Sequence, residues 1–273
     1  MFVRELFKIT GAFRKKPIMS QRYKLTVEYR GSDYAGWQRQ PDVPSIQQAL
    51  EEAVKGFSQQ SVQVTAAGRT DGGVHARGQV VHLDLEPTTK PMQPFEIAKA
   101  INAYLRPAPI SVTSCEEVSE DFHARFSALN KLYQYRIVNR QGFLALDQGL
   151  VWHVRKPLDA DAMHEAAQIL LGKHDFSTFR DSECQAKSPI KTLDRLDVTT
   201  RPYDECGGIE ILIEAEAKSF IHHQVRNMVG SLSLIGEGKW STDDLQKALE
   251  AKDRTKGGPT APADGLYLMR IDY

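Results

Sequence analysis

The residues best placed to do chemistry fall in one stretch, Ala66-Ala67-Gly68-Arg69-Thr70-Asp71-Gly72-Gly73-Val74-His75-Ala76, which brings a carboxylate, a guanidinium and an imidazole together. Gly72 and Gly73 permit φ > 0 and a close backbone approach beside the acid. The plain alternative is an Asp-Gly-Gly turn in which Asp71 accepts local backbone hydrogen bonds, and an isolated Asp-Gly would be read that way. The stretch joins two expected strands and is longer than a minimal hairpin needs. Arg69, Asp71 and His75 in one such loop favour a site over a turn, although spacing alone names no reaction.

Other reactive patterns are weaker. A phosphate loop requires G-x-x-x-x-G-K-[ST], and Gly236-Glu237-Gly238-Lys239-Trp240 lacks both the spacing and the hydroxyl, so it reads as the end of a helix. Metal ligands could be drawn from Asp71, His75, His82 and Asp84, or from His222 and His223. Neighbours on one helix point about 100° apart and rarely share an ion. His82 and Asp84 fall on one strand face, where paired or solvated roles are commoner. No metal and no cofactor are expected. Between Phe122 and Arg140, aromatic and basic residues interleave: Phe122, His123, Arg125, Phe126, Lys131, Tyr133, Tyr135, Arg136 and Arg140. Bases stack on aromatic faces and phosphates pair with cations, so this pattern gives modest support to RNA as a partner. Tyr135 and Ile137 read as core; Tyr133 shares their parity but starts the strand, where a side chain reaches a cleft.

The elements that must carry these residues follow from hydrophobic period. Arg22 to Arg30 alternates as a half-buried strand. Ser45 and Gln48 form a capping-box pattern ahead of an amphipathic helix through Phe57. Strands are expected at Val62 to Ala67, Gln79 to Glu86 and Ile110 to Val118, with a helix from Phe95 to Leu105. The order is β-α-β-β-α-β. It recurs loosely in the second half. A strand spans Leu132 to Asn139, and a helix capped by Asp159 runs to Leu171 and stops at Gly172. Strands follow at Leu193 to Thr200 and Ile209 to Ala217. Helices are expected from Phe220 to Ile235 and after Ser241 with Asp244, and Leu266 to Asp272 closes as a strand. Two split β-α-β halves, forming an extended and mainly antiparallel sheet under helices, define an α+β protein with a central cleft. The junction falls near Ser119 to Asn130, giving subdomains at 19–122 and 123–273.

Composition bounds the class. The chain has 273 residues, 41% of them hydrophobic, enough for a substantial core without staples. No apolar run approaches the roughly 20 residues of a membrane helix. Cys115, Cys184 and Cys206 are scattered and suggest neither zinc nor disulfides, so a reducing cytoplasm is the natural setting. The 35 basic and 35 acidic residues cancel, which leaves RNA binding neither supported nor excluded. Residues 1–18 stand apart, with Arg4, Lys8, Arg14, Lys15 and Lys16 against Glu5. No apolar stretch follows them, so a secretory signal is not expected. They read as a basic extension outside the fold: a transit-like segment, an RNA-binding arm or, the preferred reading, sequence read through from a start upstream of Met19.

Taken together, the motifs resemble the TruA-type tRNA pseudouridine synthases. AAGRTDGGVHARGQVVH is similar to the catalytic motif of that family. EYRGSDYAGWQRQ, DFHARFSALNKLYQYRI, FSTFRDSECQAKSPIKT, AKSFIHHQVRNMVGSL and AKDRTKGGPTAPADGLYLMRIDY match further segments in the same order, from Arg22 to Tyr273. The resemblance implies that Asp71 is the nucleophile and that Arg69 helps displace the target base. Tyr133 stacks on the flipped uridine or removes a proton from it, and Arg226 pairs with the aspartate. Gly72 stands where the family commonly has alanine, Leu132 where a basic or varied residue is usual, and the basic extension has no family counterpart. No catalytic group is lost. The reaction breaks the C1′–N1 bond of uridine, turns the uracil and joins C1′ to C5, with no redox step and no group donor. The implied substrate is the anticodon stem-loop of tRNA, at uridines 38–40, held by a homodimer. A related synthase acting on other RNA uridines is the nearest alternative, and an idle RNA-binding protein of the same fold is the more distant one. Retention of Asp71, Tyr133 and Arg226 argues against idleness.

Because residues 1–18 lack core periodicity, a chain beginning at Met19 is expected to fold and to modify tRNA like the full one. A large loss of solubility or turnover in that shortened protein would show that the basic arm contributes.

Overall fold

In a computed structural model, which describes residues 20–87 and 91–273, the period-two segments become strands and the 3.6-period segments become helices. The basic extension lies outside the described residues. The first half runs β1 (Gln21–Tyr29), α1 (Ile46–Ser58), β2 (Thr65–Ala66), β3 (His75–Leu85), α2 (Pro94–Leu105) and β4 (Ile110–Val118). The second runs β5 (Asn130–Asn139), β6 (Trp152–Val154), α3 (Ala160–Ala167), β7 (Gly172–Asp175), β8 (Ile190–Leu193), β9 (Arg195–Pro202) and β10 (Ile209–Ala217). It ends with α4 (Gln224–Gly236), α5 (Thr242–Ala251) and β11 (Leu266–Asp272).

Among the described residues, nine strands form one sheet in the order β4-β1-β3-β11-β5-β10-β9, with β2 added to β3 and β6 to β5. The two halves repeat a single arrangement, β4-β1-β3-β2 and β11-β5-β10-β9, the split β-α-β plan expected from the sequence. Alternate residues of β1, namely Tyr23, Leu25, Val27 and Tyr29, are buried, as one face of a pleat requires. β11 joins the halves. It pairs antiparallel to β5, with Leu268 opposite Tyr133, and parallel to β3, with Tyr267 opposite His75. The α+β class stands, and the sheet is mixed, with parallel pairs at β3/β11 and β5/β6.

Several boundaries differ from expectation for local reasons. Ser45 Oγ caps α1 by accepting from Gln48 N, but the Gln48 side chain turns to Glu52, so the reciprocal half of the capping box is not made. Ser241 and Asp244 do make both halves at α5. β3 begins at His75 rather than Gln79, because its first residues gain a partner in β11, which lies far away in sequence. β6, β7 and β8 are too short for a period to show. α4 begins at Gln224, and Phe220 to His223 enter it as a turn with His223 at φ +62°. No helix among the described residues is long and apolar enough to cross a membrane, and the three cysteines are free thiols.

His82 of β3 fastens the junction between the halves. Its buried Nδ1 accepts the Ala124 N–H at 3.1 Å, and its ring meets the edges of His123 and Phe122. Burial, reinforced by Arg22 and His123, lowers its pKa to about 4. In the unfolded chain a histidine titrates near ~6.5. Between those values the unfolded state binds a proton that the folded state refuses, so stability falls as pH drops from about 6.5 toward 4. Urea midpoints are expected to decline over that range, and to decline less in His82→Asn, whose Oδ1 can accept the same N–H. Equal declines in both proteins would remove His82 from this role.

Candidate active site

The loop between β2 and β3 is held from several directions before any functional group is considered. Lys131 Nζ, reaching across from β5, donates to Ala67 O at 2.7 Å, and Gln79 Nε2 donates to Gly68 O at 2.7 Å. Trp37 N donates to Thr70 O, and the Thr70 and Tyr29 hydroxyls hydrogen-bond at 2.8 Å. Burial pushes the Tyr29 phenol up to about 12 and brings Lys131 down to about 8. Gly36, at φ +109°, faces Asp71 in an isolated bridge; a Cβ there would come within 2.7 Å of Thr70 O. Only glycine tolerates that approach in that conformation.

The carboxylate of Asp71, one-fifth exposed, points toward α4. Arg226, 155 residues away in sequence, brings Nη1 to 3.1 Å from Asp71 Oδ2 and donates Nε to Ala261 O at 2.8 Å. That second anchor exists because the 259–261 backbone lies directly on α4: a Cβ at Gly230 would sit 1.7 Å from Pro259 O. The turn before α4 adds two imidazoles. His222 Nε2 is 3.3 Å from Asp71 Oδ1, and His223 Nε2 is 3.3 Å from Asp71 Oδ2. On the far side both rings face Asp181, with Nδ1 atoms at 3.5 Å and 2.6 Å from its oxygens. The left-handed backbone of His223 sets the rings side by side, with centroids 4.0 Å apart. The sequence-based argument that adjacent histidines diverge assumed a helix, and that premise is overturned. Burial lowers the His223 pKa against the opposing pull of Asp71 and Asp181.

The other residues singled out from the sequence separate clearly. Tyr133 lies beside this group, buried at 8% exposure, its ring edge-on to Phe220 at 5.2 Å. Burial, then the Tyr29 and Asp71 charges, raise its phenol well above the ordinary range. Arg69 is exposed, and among the described residues its guanidinium has no hydrogen-bond or ion-pair partner. His75 does not join the site. Its Nδ1 accepts Gly31 N–H at 3.1 Å, its Nε2 meets Asp264 O, and its ring stacks on Tyr267. With His82 held by Ala124, and Asp84 paired to Arg22 at 2.7 Å, the set Asp71, His75, His82 and Asp84 does not converge. Asp181 is the contributor that the sequence did not single out, and Lys131, read there as one cation of an RNA-binding pattern, holds the loop instead. The adjacent histidines were visible, but nothing local connected them to Asp71.

A family model described as tRNA pseudouridine synthase matches residues 25–127 and 166–273. The chain belongs to the tRNA pseudouridine synthase family. Proteins named tRNA pseudouridine synthase A are similar over most of its length. The one from Paramagnetospirillum magneticum is 58% identical over 252 residues, covering 92% of this chain and 95% of its own. Those from Rhodopseudomonas palustris strain HaA2 and Rhizobium meliloti are each 55% identical, covering 92% of this chain and 99% of theirs. As a pseudouridine synthase the chain is an isomerase, and Asp71, Arg69, Tyr133 and Arg226 all fall within the matched residues or, for Tyr133, in the segment between the two matches.

Proposed function

We propose that this synthase isomerises uridines 38–40 in the anticodon stem-loop of tRNA, with Asp71 as nucleophile. The observation that carries the reading is the convergence on Asp71: Arg226 at 3.1 Å from a distant helix, with Tyr133 beside it and Arg69 free at the rim. A turn aspartate would satisfy itself with local N–H groups, whereas this carboxylate turns to a cation across the cleft. The N-terminal subdomain, 19–122, supplies Asp71 and Arg69. The C-terminal subdomain, 123–273, supplies Tyr133 and Arg226.

In this scheme the target base leaves its stack at a cost of a few kcal/mol, and Arg69 takes its place against the RNA. The uracil lies against Tyr133. A phenol whose pKa is raised by burial stays protonated and makes a poor proton acceptor, which favours the ring over the hydroxyl as the working part. Asp71, oriented by Arg226, bonds to C1′ as the C1′–N1 bond breaks; the turned uracil then bonds through C5 to C1′ and releases the carboxylate, N1 takes up a proton and the C5 proton passes to solvent. Arg125 over the exposed Phe126 ring, at 5.9 Å, offers a cation and a stacking face for flanking RNA. A homodimer completes the RNA cradle. The rearrangement needs neither metal nor cofactor.

Asp71→Asn keeps the shape and removes the charge. Tritium release from C5-labelled uridine in tRNA is expected to fall below detection, while a gel-shift on the same preparation shows tRNA binding retained, because phosphate contacts supply most RNA affinity. Turnover within about tenfold of the parent, only ~1.4 kcal/mol on the barrier, would sink the nucleophile assignment. Tyr133→Leu is expected to lower turnover by roughly 5- to 150-fold, the equivalent of ~1–3 kcal/mol of base stacking, while Tyr133→Phe retains most of it. Complete inactivity of the phenylalanine variant would instead give the hydroxyl the essential part.

A further inference from the structure

We propose that Asp71, His222 and His223 form a binding site for a zinc-class divalent ion, and that an ion bound there silences the enzyme. One carboxylate oxygen of Asp71 and one ring nitrogen from each histidine lie within 4.8 Å of one another. In tetrahedral zinc sites with bonds of about 2.0–2.2 Å, neighbouring donor atoms are roughly 3.3–3.6 Å apart. His222 Nε2 already has that spacing to Asp71 Oδ1, at 3.3 Å; His223 Nε2 has it to Oδ2, also at 3.3 Å, and joins an ion on Oδ1 by a small shift.

The outer arrangement fits as well. Zinc-bound histidines commonly turn their second nitrogen to a carboxylate, which fixes the ring and raises its basicity. Asp181 stands in that position for both rings. With Nδ1 of both rings on the Asp181 side, the Nε2 atoms of His222 and His223 face the Asp71 carboxylate, where an ion can take the place of a proton between nitrogen and oxygen. Arg226 supplies positive charge on the Oδ2 side only, so the Asp71 and Asp181 carboxylates together outnumber the one guanidinium beside them. Oδ1, beside His222, is the oxygen left for an ion, and His222 is 38% exposed at the cleft. An ion on Asp71 ties up the carboxylate, so the silencing rests on the reading of Asp71 as nucleophile.

The test uses the full chain, stripped with EDTA, and zinc alone as the probe. Competition against a chromophoric chelator gives stoichiometry and affinity, and tritium release with and without zinc gives the effect on turnover. One ion per chain is expected, with turnover lost as the site fills and restored by EDTA. His222→Ala/His223→Ala is expected to bind at least tenfold more weakly, and Asp181→Asn about tenfold more weakly. His223→Gln, checked for an unchanged thermal transition, guards against a folding defect. The Cys184 thiol, whose sulfur accepts the His222 backbone N–H at 3.4 Å, is the competing soft ligand. Cys184→Ser is expected to leave affinity unchanged. Zinc affinity that is insensitive to both histidines, or lost with Cys184 alone, overturns the site. Binding with full turnover overturns the silencing. An active Asp71→Asn enzyme would remove the nucleophile reading while leaving the zinc titration to stand by itself.

Discussion

A carboxylate drawn out of water needs opposing charge and donors, and the arrangement of the cleft follows from how Asp71 obtains them. In the loop that carries Asp71, the Thr70 and Asp71 carbonyls accept from Trp37 and Val74 and the Gly73 N–H donates to Tyr34 O, while the carboxylate turns away from the loop. The cation comes from Arg226, and Arg226 is fixed at both ends, by Asp71 and by Ala261 O. That double tether depends in turn on Gly230, whose missing side chain lets the Pro259–Ala261 backbone lie on α4. A chain of dependence thus runs from a glycine in a helix to the ionic partner of the site.

The tether also needs the two halves in fixed relation, and β11 provides this. It is the last strand of the second half, yet its first residues pair with β3, immediately after the Asp71 loop. Leu268 is fully buried at that seam, opposite Tyr133 on one side and Ala76 on the other. Lys131 adds a direct link from β5 to the loop at Ala67, holding a half-buried ammonium against a carbonyl. Loop, seam and helix therefore position Asp71, Tyr133 and Arg226 as one rigid group rather than as three flexible side chains.

The histidines differ in what their nitrogens meet. His75 and His82 each accept a backbone N–H, which requires the neutral ring and uses up the lone pair, and burial lowers both pKa values accordingly. His222 and His223 meet carboxylates on both sides instead. Composition gives all four the same weight. Only the identity of the second atom tells them apart.

The sequence by itself determined the α+β class, the repeated β-α-β-β-α-β order and most element positions, because period, caps and turn residues act over a few neighbours. Ser241 with Asp244, Asp159, and the alternation of β1 are local facts and were legible. Motif resemblance singled out Asp71, Arg69, Tyr133 and Arg226, since their segments carry distinctive residue strings. The tertiary structure alone decided what they touch. β11 crossing to β3 and the meeting of Asp71 with Arg226, His222 and His223 are contacts between segments far apart in the chain, and the left-handed turn at His223 carries its ring into that meeting. Their free energy comes from pairing and burial that exist only when the halves close. No local pattern of residues encodes it.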